Sequence, residues 1–134
     1  MVDQLLHGPT PPTGAAAAAA VGELAAAHSA FGHVPGTLPH LRFTHFVGYG
    51  AIYYSYLYAH CLAAQLWQRH LAADPLGRAA GERLRRQLLE PGGARDPHDL
   101  LEGLFAPHGG DVLQQVGGGW HPDPSALLDT SLSA

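Results

Sequence analysis

Clusters of glycine and proline cut this chain into short stretches, and within most stretches apolar residues recur every three or four positions. The chain holds 17 Gly and 11 Pro among 134 residues. Both residue types end regular structure: glycine through its conformational freedom, proline through its missing N–H and fixed φ. A chain punctuated in this way and carrying helical periodicity is restricted to short, packed helices. No segment alternates apolar and polar residues as a half-buried strand does. The expected fold class is therefore all-α, with five or six helices.

Residues 1–7 read as the end of a helix that began earlier. His7-Gly8-Pro9 stops it, and Pro9-Thr10-Pro11-Pro12 forms an extended linker. Gly14 to Phe31 is Ala-dominated and predicts a helix with Thr13 as N-cap, since Ala has the best helix propensity. Val21, Leu24 and Phe31 give it an apolar face. Gly32 to Pro39 is a loop, and Leu41 to Phe46 is ambiguous. Ala51 to Leu71 predicts a long core helix with a stripe of Leu57, Cys61, Ala64 and Leu71. Asp74-Pro75 and Asp96-Pro97 each look like a helix start, with Asp as N-cap and Pro at the first helical position. Leu76, Ala80, Leu84 and Leu88 repeat every four residues in the first of these helices, where Gly81 suggests close packing. Leu100, Leu101, Leu104 and Phe105 form the apolar face of the second. Asp111 to Val116 and Ser125 to Leu132 are expected to be short helices.

Length suits one domain. Charged residues make up 13%, well below the typical value of about 25%. Two explanations stand for that deficit: part of the surface belongs against something else, or GC-rich coding has biased the composition. Net charge is −4 and there is no basic stripe, so nucleic acid is not an expected partner. Arg83, Arg85 and Arg86 lie between Glu82 and Glu90, as on a solvated helix face. No apolar run is long enough for a membrane helix, and no membrane partner is expected. The lone cysteine, Cys61, reads as a small buried hydrophobe.

Chemistry concentrates between positions 44 and 58, where all five tyrosines lie within a glycine-bearing run. If the helix reaches back to about residue 49, then Tyr49, Tyr53 and Tyr56 share one face. A phenol stays protonated at neutral pH and donates a hydrogen bond. Two such donors beside Gly48 and Gly50 suit an oxyanion, and His45 adds another polar group. The same spacing also suits a tyrosine-rich core helix, and the residues alone leave both readings open. Ten histidines call for a metal check, but no His-Glu-x-x-His and no His-x-x-x-His occurs, so no metal site is expected within this chain.

The run His45-Phe46-Val47-Gly48-Tyr49-Gly50-Ala51 through Tyr53-Tyr54-Ser55-Tyr56 resembles the tyrosine- and glycine-bearing loop of the thimet oligopeptidase family of metallopeptidases. Asp3-Gln4-Leu5-Leu6-His7-Gly8, Asp74-Pro75-Leu76 with Arg78 to Arg83, Pro91-Gly92-Gly93 and Leu101-Glu102-Gly103 extend the likeness, in order, to about residue 105. The resemblance implies that residues 1–134 are the C-terminal helical part of a thimet-oligopeptidase-like (neurolysin-like) catalytic domain. It implies a zinc cofactor in the complete enzyme, held by a His-Glu-x-x-His helix and a further glutamate upstream of this region. The implied partners are a peptide substrate and the remainder of the peptidase domain. Carried over by position, Tyr56 and Tyr49 would stabilise the tetrahedral oxyanion and His45 would contact it or the substrate. Gly48 and Gly50 would give the loop mobility, and Tyr53 would line the site. The likeness is strongest to the family's mitochondrial branch, which implies precursor processing in the matrix. With the zinc-binding motif absent, the chain is expected to be inactive alone. The alternative is a helical interaction module that kept the fold and lost catalysis.

Overall fold

The computed structural model describes residues 1–106 and 112–127. They pack as two compact units, Met1–Tyr56 and a second beginning at Leu57. Among the described residues, six α-helices and one β-hairpin make up the regular structure, joined by 3₁₀ and π-helical turns.

In the first unit, α1 (Val2–Leu6) is followed by α2 (Gly14–His28). Thr13 caps α2 in extended conformation, but its side chain makes no capping hydrogen bond. Ala17 and Val21 are the buried residues of α2. The helix ends three residues before Phe31, which is exposed and adds nothing to that face. A 3₁₀ turn, Pro39–Arg42, and the single-turn helix α3 (His45–Gly48) resolve the ambiguous stretch.

α4 (Ser55–Leu66) begins four residues later than its apolar pattern suggested, because residues 51–54 form turns. It continues into a π-helical turn, Trp67–Leu71. Cys61, Ala64 and Gln65 are its buried residues, while Leu57 is exposed. α4 is thus half-buried rather than a core helix along its length. Burial pushes the Cys61 thiol above its ordinary value, which favours the neutral form.

α5 (Arg78–Leu84) and its π-helical continuation Arg85–Leu89 carry Leu84 and Leu88 to the core. The start lies at Gly77, not at Asp74. Asp74-Pro75 makes a turn closed by the Gly77 N–H donating to the Asp74 carbonyl at 3.0 Å, and Leu76 is 96% exposed. Gly81 faces open space, so no neighbour's close approach explains it. Glu82, Arg85, Arg86 and Glu90 form the solvated charged face, whereas Arg83 turns inward and donates to the Ala106 carbonyl at 2.9 Å.

α6 (Pro97–Phe105) follows the sequence signal closely: the Asp96 carboxylate accepts the His98 N–H at 2.8 Å and Pro97 opens the helix. Leu104 and Phe105 join Val112 and Leu113 in the core, packed by Leu62, Leu66, Leu84, Leu88 and Leu101. Each such buried side chain contributes about 1.5–3 kcal/mol of transfer free energy.

The all-α expectation needs correction at the hairpin. Leu113–Val116 is strand β1, not helix, and pairs antiparallel with β2 (Gly119–Pro122). Gly117 and Gly118 supply positive φ at both turn positions, 58° and 84°, as a two-residue hairpin turn requires. Buried Gln65 reaches the Val112 and Asp123 carbonyls at 3.4 Å, and the Tyr58 hydroxyl donates to the Trp120 carbonyl at 2.9 Å. A 3₁₀ turn, Pro124–Leu127, follows; residues 111 and 128–132 of the two expected C-terminal helices lie outside the described residues.

Candidate functional site

The tyrosine segment does not form one continuous helix face. His45 opens α3, Tyr49 follows its last residue, Tyr53 sits in the turn, and Tyr56 is the second residue of α4. The turn nonetheless gathers the four rings. His45 stacks on Tyr49 at 5.7 Å between centroids and meets Tyr53 and Tyr56 edge-on at 5.8 and 6.2 Å. Tyr49 and Tyr56 are 6.2 Å apart, and Tyr53 and Tyr56 4.9 Å. Phe43 and Phe46 also pack edge-on against Tyr53, and Phe43 stacks on His45 at 5.1 Å. Tyr49 and Tyr56 keep 45% and 44% of their surface exposed, so they are not consumed as core packing. Tyr54 is exposed and has no ring contact among the described residues, and Tyr58 is engaged at the hairpin.

Besides its own backbone hydrogen bonds, this turn is held by a buried carboxylate. Asp3 and His7 lie one helical turn apart at α1. Asp3 is 2% exposed. Its Oδ1 accepts the Ala51 N–H and its Oδ2 the Tyr53 N–H, both at 2.9 Å. His7 Nδ1 lies 2.8 Å from the same Oδ1 and 3.0 Å from the Asp3 carbonyl. Burial alone would raise the Asp3 carboxyl; the Tyr53 and Ala51 amides and the His7 imidazole outweigh it and hold it below its ordinary value. Ala51 takes φ 66°, a left-handed conformation rare for a residue with a Cβ.

The two glycines play different parts. A Cβ at Gly50 would stand 2.7 Å from His7 Nε2, so the close approach of imidazole and turn requires glycine there. Gly48 faces open space. Neither has positive φ. The sequence analysis named Asp3 and His7 only within a stretch of family likeness and gave neither a part in the site; their i,i+4 spacing shows that they can meet but not what they hold.

The tyrosine cluster offers one imidazole and three phenols and no carboxylate, a donor set that does not fit zinc. Among the described residues one group brings metal-type ligand atoms within 4.8 Å of one another: His98, Asp99 and Glu102 on α6. Both carboxylates are exposed, and nothing in that group matches a His-Glu-x-x-His centre. Among the described residues, neither group matches the zinc site that the family likeness implies.

Mitochondrial intermediate peptidase of Arabidopsis thaliana is 40% identical over 129 residues, which cover 96% of this chain and 18% of that protein. The Homo sapiens mitochondrial intermediate peptidase is 49% identical over 73 residues, 54% of this chain and 10% of its own length. That of Coprinopsis cinerea is 38% identical over 106 residues, 78% of this chain and 14% of its own. The chain thus spans less than a fifth of each of these relatives. No solved structure matches. Peptidase family M3 matches residues 1–106, the α1–α6 segment that contains the whole tyrosine turn, and this chain belongs to that family.

Proposed function

We propose that this chain is the oxyanion- and substrate-binding segment of a zinc metalloendopeptidase that trims imported precursors in the mitochondrial matrix. The observation that carries the reading is the convergence of His45, Tyr49, Tyr53 and Tyr56 at one clamped turn, inside the segment matched by a peptidase family. When the scissile carbonyl is attacked, negative charge develops on its oxygen. The Tyr56 and Tyr49 hydroxyls donate hydrogen bonds to that oxygen, most strongly in the transition state. His45 orients both tyrosine rings by contact and faces the substrate. Tyr53 walls the site, and Gly48 lets substrate backbone come near. The zinc and the residues that hold it belong to polypeptide outside this chain.

Surface character supports a partner of that kind. Leu6, Ala17, Leu38, Leu41, Phe46 and Val47 line one open apolar groove, and Val47 is 91% exposed. His40 Nδ1, also at this groove, is buried without a hydrogen-bond partner among the described residues. Such surfaces mark contact with further polypeptide. The remainder of the peptidase domain is the proposed occupant.

The test is a full-length enzyme in which residues 1–106 of this chain replace the matching segment of the Arabidopsis relative. The graft is expected to cleave precursor-derived peptides. Tyr56→Phe is expected to lower kcat by about 100- to 1000-fold with KM little changed, and Tyr49→Phe to act in the same direction. A folded, zinc-loaded graft that is inactive, or one indifferent to Tyr56→Phe, would overturn the reading.

A further inference from the structure

We infer that Asp3, backed by His7, is the positioning residue that sets the tyrosine turn in its working conformation. The inference rests on the reading of Tyr49 and Tyr56 as oxyanion donors and extends it to a residue that touches no substrate.

Within the turn, the Ile52, Ser55 and Tyr56 N–H groups donate to the Tyr49, Ile52 and Tyr53 carbonyls at 3.2, 3.0 and 3.3 Å, and the Ala51 and Tyr53 N–H groups donate to Asp3 instead. The turn runs from α3 to α4 through residues 49–54, with Ala51 in a left-handed conformation that an L-residue disfavours by roughly 1–3 kcal/mol. Such a conformation persists only where the surroundings over-determine it. Here they do: the two Asp3 oxygens take the amides of Ala51 and Tyr53, one on each side of Ile52. Two bonds to one planar carboxylate fix both the place and the rotation of this peptide stretch. Tyr53 is itself a member of the ring cluster, 4.9 Å from Tyr56, and the turn ends where α4 begins. The position of the hydroxyls follows from the position of these two amides.

His7 completes the device. Its Nδ1 faces the Asp3 carboxylate at 2.8 Å, which turns the ring edge toward Gly50. The imidazole therefore buttresses the turn at the one residue whose missing Cβ admits it. Ala51 N–H and His7 Nδ1 share Oδ1, and Tyr53 N–H takes Oδ2, so both oxygens of the buried carboxylate are engaged. An amide in place of the acid would keep the shape, but its NH₂ would face a backbone N–H, donor against donor.

The experiment uses the full-length graft with four forms: unmodified, Asp3→Asn, Tyr56→Phe and the double variant. Thermal unfolding and bound zinc confirm that each is folded. Asp3→Asn is expected to lower kcat by about 10- to 100-fold while KM changes less than about threefold, as for loss of a transition-state interaction. Hydrogen exchange at the Ala51 and Tyr53 amides is expected to quicken in the same variant. In the double variant the loss is expected to fall well short of the product of the two single losses, because the clamp acts through the hydroxyls and one of them is already gone. If Asp3→Asn does not fold, Asp3→Glu carries the same test, since it keeps the charge and displaces the oxygens by one methylene.

Fully multiplicative losses would assign Asp3 to general stability and overturn the inference. So would an unchanged kcat in Asp3→Asn, or failure of both Asp3 variants to fold. A large loss in Tyr56→Phe beside an unaffected Asp3→Asn would remove the clamp and leave the oxyanion reading standing. An unaffected Tyr56→Phe would remove both.

Discussion

Gly50 and His7 meet so closely that the smallest side chain is excluded between them. Gly50→Ala would push the imidazole off Asp3, because a Cβ cannot stand 2.7 Å from Nε2. The expected cost is about 1–3 kcal/mol, as for overpacking elsewhere, read as a lowered Tm. Gly48→Ala meets nothing and is expected to leave Tm nearly unchanged. The acid response of the same cluster has a definite sign. The Asp3 carboxyl is held below its ordinary value of 3.8. Its contribution to stability is therefore complete above that value and fades as pH falls through the lower folded value. Thermal unfolding followed from about pH 6 to about pH 2 should show this loss, and Asp3→Asn should remove that part of the slope. Equal slopes in the two proteins would assign the acid response to other carboxylates.

Two Asp-Pro pairs look alike as letters and differ as elements. Asp96 caps α6 through its side chain, so Asp96→Ala is expected to cost about 1 kcal/mol in urea unfolding. Asp74 precedes a turn, and Asp74→Ala is expected to stay within about 0.5 kcal/mol. A cap needs the helix to begin at once, and Gly77 delays it. The same limit governs what was legible elsewhere. α6 could be read because apolar spacing and cap agreed, and α1 and α2 because Gly-Pro stops and alanine content marked them. The hairpin was missed because Leu-Gln-Gln-Val alternates too weakly to announce a strand; only the Gly117-Gly118 pair marked the turn. The tyrosines could be picked out as a group, but their assembly could not. It depends on a turn whose geometry is fixed from α1, and local periodicity carries no trace of a distant carboxylate.

On the scale of the molecule, the proposed reading gives the chain donors for an oxyanion, and the sequence holds no His-Glu-x-x-His to generate a nucleophile. The purified 134-residue polypeptide is expected to cleave no octapeptide and to retain no stoichiometric zinc after dialysis, judged by mass spectrometry of the digest and elemental analysis. Zinc-dependent cleavage by it would contradict the assignment of the metal to polypeptide elsewhere.

The bond between Asp3 and Ala51 joins positions 48 apart in sequence. It closes a ring of backbone whose interior includes the alanine-rich α2 and the Pro- and Gly-bearing loops on either side of it. Doubling the length of a flexible loop raises its closure cost by only about 0.6 kcal/mol. Insertions or deletions in those loops should accordingly be tolerated with the site kept in register. Length variation among relatives is expected to collect between the two anchors and to spare the anchors themselves.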